Sequence, residues 1–151
     1  MPLYSCVPKV LPHVMRNINE FNIPSGDEYG YEILYFGVNL ILMSNYSLSF
    51  DVEVKSSQGN GSGKVEVLII SRKDVQIWKG NGSNIQDIRF YYTNSGERIN
   101  DIFKPSVSDA YAFILSNRFS SDNYPKTKKV EATIVHTWEQ EIKESQLKNR
   151  L

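Results

Sequence analysis

Cysteine is almost missing from this sequence: Cys6 stands alone among 151 residues. A single thiol closes no disulfide within the chain and cannot found a Cys-based zinc site. It lies in a stretch punctuated by Pro2, Pro8 and Pro12, with no cation nearer than Lys9 to lower its pKa, so it reads as an ordinary thiol. An excess of one charge is lacking too, since 17 Lys+Arg balance 17 Asp+Glu. Nothing in that balance draws in a polyanion, and no nucleic-acid partner is expected. Long apolar runs are also absent. The richest, residues 33–43, contains Gly37 and Asn39 and falls well short of the ~20 residues that cross a bilayer as a helix. The opening residues show no basic segment ahead of an apolar core, so no secretory signal is expected and the chain reads as soluble and cytoplasmic. In that setting the N-x-S triplets at Asn45, Asn60 and Asn81 are turn residues followed by serine.

The chemistry-bearing patterns are equally sparse. His13 and His136 are the two imidazoles, with no i,i+4 partner to start a zinc site. No G-x-S-x-G elbow presents a serine nucleophile. The glycines of residues 59–63 invite comparison with a phosphate loop, but Lys64 is followed by Val65 and a strand rather than by Ser/Thr and a helix. Asp51, Glu53 and Lys55 fall on one strand face and look like a solvated surface, not an acid–base pair. The expectation is a non-enzyme with no cofactor and no metal.

What is present is period-two alternation. Leu48, Phe50, Val52 and Val54 share one face, and Ser49, Asp51, Glu53 and Lys55 the other, as in a strand with one side on a core. Residues 65–70 resume the pattern, but Leu68 and Ile70 make both faces apolar, as in a strand covered on both sides or one near the sandwich centre. Further candidate strands are residues 10–15, 18–23, 29–36, 85–92, 99–103, 111–116 and 130–138, separated by Gly/Asn/Ser/Pro-rich breaks. Ile134, His136 and Trp138 fall on one face of the last. Nine Tyr and seven Phe suit pleated, half-buried surfaces. Short strands at close spacing predict an all-β antiparallel sandwich, jelly-roll-like, occupying residues 1–138 as one domain. Residues 139–151 are highly charged, with Glu139/Lys143 and Glu144/Lys148 in favourable i,i+4 order, and predict a short helix or tail.

The second half resembles a known family. The run Tyr111-Ala112-Phe113-Ile114-Leu115-Ser116-Asn117-Arg118-Phe119-Ser120, then Lys126-Thr127-Lys128-Lys129-Val130 and a closing strand to Trp138, is similar to the end of GOLD-like domains. Upstream, Val67-Leu68-Ile69-Ile70 and Trp78-Lys79-Gly80-Asn81-Gly82 resemble the family's middle strand and its W-x-N-G segment, and Ile23-Pro24-Ser25-Gly26 its early strand opening. Ser116 stands where members often carry Asp. The resemblance covers residues 18–138. It implies a β-sandwich used for protein interaction, sometimes at membranes, with no catalytic residues to transfer. Secretory members add a signal and a membrane helix, neither readable here, so a Golgi cargo-receptor role does not carry over.

The resulting expectation is a non-catalytic interaction module or scaffold subunit, in trafficking or membrane-associated assemblies. Its partner-binding residues are expected at Phe119 and Tyr124, aromatics in a loop, and at the basic cluster Lys126, Lys128 and Lys129. A protein partner leads; self-association through open sheet edges and peripheral contact with a membrane surface are the further partner classes. The alternative is a carbohydrate- or lipid-headgroup-binding sandwich with Trp78, Tyr91 and Tyr92 as a stacking platform.

Overall fold

Among the described residues, the alternation seen in the sequence is realised as eight antiparallel strands. In the computed structural model, residues 9–26, 29–57, 63–80, 83–118 and 127–142 are described. The strands are β1 (Lys9–Ile23), β2 (Tyr31–Val38), β3 (Ser44–Ser57), β4 (Val65–Ser71), β5 (Phe90–Gly96), β6 (Arg98–Phe103), β7 (Asp109–Ser116) and β8 (Lys128–Ile142). One sheet runs β1-β8-β3-β6 and the other β2-β7-β4-β5. Two four-stranded sheets in this order are the strand arrangement of a jelly roll.

Register decides which side chains meet. Ile134 lies opposite Asn17 and Phe50, and His136 opposite Met15 and Leu48, so these residues share the inner face of the first sheet. The second sheet turns Leu34, Phe36, Val67, Ile69, Tyr111, Phe113 and Leu115 toward them, and the core closes between the layers. Each fully buried Leu, Ile or Phe there contributes ~1.5–3 kcal/mol of transfer free energy. Asp51 and Glu53 point outward, in ion pairs with Arg98 and Lys55, as a solvated face should.

The apolar pattern of β4 on both faces has a direct cause. Between β4 and β5 the chain forms a 3₁₀ turn (Arg72–Asp74), a short helix α1 (Val75–Gly80) and a second 3₁₀ turn (Ser83–Asp87). This segment lies over the outer face of the second sheet and forms a smaller core of Leu68, Ile70, Val75, Trp78, Ile88, Ala112 and Ile114. The residues quoted for the family resemblance tie the layers together. Asn117 donates from Nδ2 to the Ile23 carbonyl at 3.1 Å and from its backbone N–H to the Gly30 carbonyl at 2.7 Å. Arg118 donates to the carbonyls of Trp78 (3.0 Å) and Lys79 (3.1 Å) at the end of α1, its guanidinium 4.4 Å from the Trp78 ring centroid. A cation is well placed at a helix C-terminus, where carbonyls lack intrahelical donors.

Three departures from the expected elements have a physical reason. Residues 10–15 and 18–23 belong to one strand, because Arg16 and Asn17 sit at a sheet edge where exposure costs nothing. Residues 139–142 belong to β8, since backbone pairing of Glu141 with Val10 and Ile142 with Lys9 outweighs the weak i,i+4 charge pairs of a helix; the rest of the expected tail lies outside the described residues. Residues 85–92 are not one strand: Ile85 in the 3₁₀ turn and Ile88 just after it close the smaller core, and β5 begins at Phe90.

Candidate binding cleft

Among the described residues, the sandwich does not close at one edge. β1 and β2 are the edge strands there, and the inner face of β1 offers Met15, Asn17 and Asn19 where other strands offer large apolar groups. Asparagine cannot fill the gap, and Met15 stays 47% exposed although it faces inward. The result is a cleft of about 240 Å³ lined by these residues and by Leu34, Phe36, Met43, Tyr46, Leu48, Phe113, Ile134, His136 and Trp138. Its volume lies just below the ~300–1,000 Å³ of typical small-molecule sites, which suits one large side chain better than a cofactor.

A column of rings floors the cleft. His13 stacks on Trp138 (centroids 5.2 Å apart, planes at 8°), Trp138 on Tyr46 (6.3 Å) and Tyr46 on Phe36 (6.4 Å). Phe36 stacks on Tyr111 (5.4 Å), which meets Tyr91 (5.2 Å) and Phe103 (5.6 Å) edge-on. The column thus crosses both sheets from the β1 edge to the β5–β6 edge. Offset and edge-on ring pairs contribute ~0.5–1.5 kcal/mol each beyond area burial, so this wall is stiff.

The ionisable groups in the cleft are held neutral. Burial pushes the His136 pKa below its usual value, and burial together with Tyr111 pushes Tyr46 well above the phenol range. The Tyr46 hydroxyl and Nδ1 of His136 share a buried hydrogen bond between two neutral groups. Tyr111 is pushed up to about 12, first by burial, and donates to the Val107 carbonyl. A neutral, ring-lined hollow with asparagines at its rim favours an apolar group carrying a polar edge. Among the described residues, no three His, Cys, Asp or Glu side chains come together as a metal site. A second hollow, lined by Glu66, Leu68, Trp78, Ile85, Phe90 and Thr93, lies over the smaller core; burial raises the Glu66 pKa there.

The sequence singled out other positions for partner binding. Phe119, Tyr124 and Lys126 lie outside the described residues. Lys128 is 4% exposed and donates from Nζ to the Lys64 carbonyl, bridging β8 to the start of β4. Lys129 is exposed and pairs with Glu20 at 2.9 Å. Adjacent strand residues face opposite ways, so Lys128 and Lys129 do not form the joint basic patch their spacing suggested. The stacking platform is divided as well: Trp78, 1% exposed, lies in the smaller core, while Tyr91 and Tyr92 pack on the main core across the sheet. Asp101 accepts the Tyr92 hydroxyl at 2.9 Å. Alternation placed His136 and Trp138 on one face with Ile134, and all three line the cleft. Tyr46, Phe36 and Met43 were not singled out; extending the face of Leu48 and Phe50 back by two residues reaches Tyr46.

No protein-family model matches the chain, and no curated protein matches it. Among solved structures, a chain of Desmodium yellow mottle tymovirus is 10% identical, covers 89% of this chain and 92% of its own length, and superposes with a TM-score of 0.26. No helix among the described residues is long and apolar enough to cross a membrane.

Proposed function

We propose that the protein is a non-catalytic interaction module of the GOLD-like type, acting in the cytoplasm as a subunit of a larger assembly. Its β1–β2 cleft receives an aromatic or aliphatic side chain from a partner protein. The observation that carries this reading is the neutral ring-lined hollow beside an edge strand: apolar contact is available, while the Tyr46–His136 pair lacks a charge to exchange. Interfaces concentrate their binding energy in such desolvated anchor pockets. The GOLD resemblance supports the module reading, since it brings no catalytic residues, and the lone Cys6 suits a reducing compartment.

Affinity purification of the wild type against Asn17→Phe tests it, because the new ring occupies the cleft from an exposed position. A protein retained by the wild type and lost from Asn17→Phe is the expected result. The same set of proteins retained by both would overturn the assignment.

A further inference from the structure

The two sides of the sandwich treat their edges differently. On β6 and β5, side chains occupy backbone donors: the Ile102 N–H is taken by Asp101 Oδ1 (2.8 Å) and the Ser95 N–H by Asn94 Oδ1 (2.9 Å). On β1, among the described residues, no side chain bonds a backbone N–H of the strand. Parity tells which groups are free. Ile102, Ser49, Val135 and Arg16 lie in one row across the first sheet. Outward-facing Ile102 at one edge implies outward-facing Arg16 at the other, since hydrogen-bonding direction alternates from strand to strand. Pro12 has the same parity as Arg16, and proline is tolerated on an edge where its nitrogen faces away from the neighbouring strand. The backbone donors and acceptors that point away from β8, and have no side-chain partner among the described residues, therefore belong to Val14, Arg16, Ile18, Glu20 and Asn22.

We propose that β1 pairs antiparallel with β1 of a second copy, centred on Ile18, joining the two β1-β8-β3-β6 sheets into one of eight strands. In that register Arg16 of each copy faces Glu20 of the other, and Ile18 faces Ile18. On the opposite face Asn17 meets Asn19 and Met15 meets Phe21. Val14 and Ile18 are 69% and 59% exposed, which leaves them available for the contact. Sliding by one pair in either direction loses both charge matches; a further step puts Arg16 against Arg16 or Glu20 against Glu20. Odd slips set inward-facing residues against outward-facing ones. A two-fold axis through the row of Ile18 makes the contact isologous, so it closes at the dimer, and Pro12 ends the free edge on one side. This pairing goes beyond the cleft reading: it rests on the edge backbone, although Met15, Asn17 and Asn19, which line the cleft, also meet across the dimer seam.

Sedimentation velocity on the full chain tests the register through charge swaps. The wild type is expected to sediment as a dimer. Arg16→Glu and Glu20→Arg each place like charges opposite one another twice and weaken the dimer roughly tenfold or more. A 1:1 mixture of the two variants, and the double variant, regain it. Circular dichroism shows whether each variant keeps its sheets. A monomeric wild type, a dimer indifferent to the swaps, or swaps without rescue would each overturn the proposal.

Discussion

The Tyr46 hydroxyl on β3 is hydrogen-bonded to Nδ1 of His136 on β8, and burial holds both groups neutral. Tyr46→Phe keeps the ring column but leaves a buried imidazole nitrogen without its hydrogen-bond partner. Losing one partner of a buried pair costs ~1–3 kcal/mol, and urea denaturation should show a loss in that range. An unchanged midpoint would mean that water replaces the hydroxyl.

Burial of His136 sets a pH dependence. Folded, His136 titrates below its ordinary 6.5, whereas the unfolded chain titrates near that value. Between the two values the unfolded state binds more protons. This contribution is therefore complete above about pH 6.5 and is lost as pH falls toward the folded pKa. His136→Asn removes the titration while keeping an oxygen that accepts from Tyr46. The stability difference between wild type and variant should shrink steadily below about pH 6.5. Glu66, raised by burial, acts in the opposite sense but contributes equally to both proteins and cancels. A difference that stays constant with pH would contradict the assignment.

Arg118 is predicted to act as a clasp rather than a surface charge. Its two donors satisfy the carbonyls of Trp78 and Lys79, and its plane lies over the indole. Arg118→Ala should cost ~2–4 kcal/mol, and Arg118→Lys should recover little, because an ammonium lacks the planar fork that reaches both oxygens. Thermal melts of the three proteins decide it; full recovery with lysine would reduce the residue to a point charge.

Two glycines should respond oppositely to alanine. At Gly30 a Cβ would lie 2.4 Å from the Gly26 carbonyl oxygen, a backbone atom that cannot swing away. Gly30 also bonds Gly26 and Asn117, so the turn cannot relax without loosening β7. Gly30→Ala should cost several kcal/mol, about as much as an overpacked core position. At Gly37 a Cβ meets nothing within 4 Å, and Gly37→Ala should be neutral or gain up to ~1 kcal/mol. Equal effects at the two sites, read by denaturant titration, would refute the close approach at Gly30.

Much of the sandwich was readable because its signals are local. The alternation from Leu48 to Lys55 became β3, and the doubly apolar run ending at Ile70 became a strand covered on both sides. The cover itself was hidden: α1 has six residues, too few for a helical period to register. The cleft was hidden for another reason. It draws Met15, Phe36, Tyr46, Phe113 and His136 from five strands far apart in sequence, and it exists because Asn17 and Asn19 are too small and polar to close the edge. The loop residues favoured for binding stood out by composition, yet Lys128 turned inward, since a strand sends neighbours to opposite faces.

Uptake of an aromatic or aliphatic side chain by the β1–β2 cleft can be read by methyl NMR on ¹³C-methionine-labelled protein titrated with N-acetylphenylalaninamide, because Met15 and Met43 both line the hollow. Saturable shifts of both methyl signals, abolished in Asn17→Phe, are the predicted result. Signals from Met15 and Met43 that stay fixed throughout the titration would contradict it.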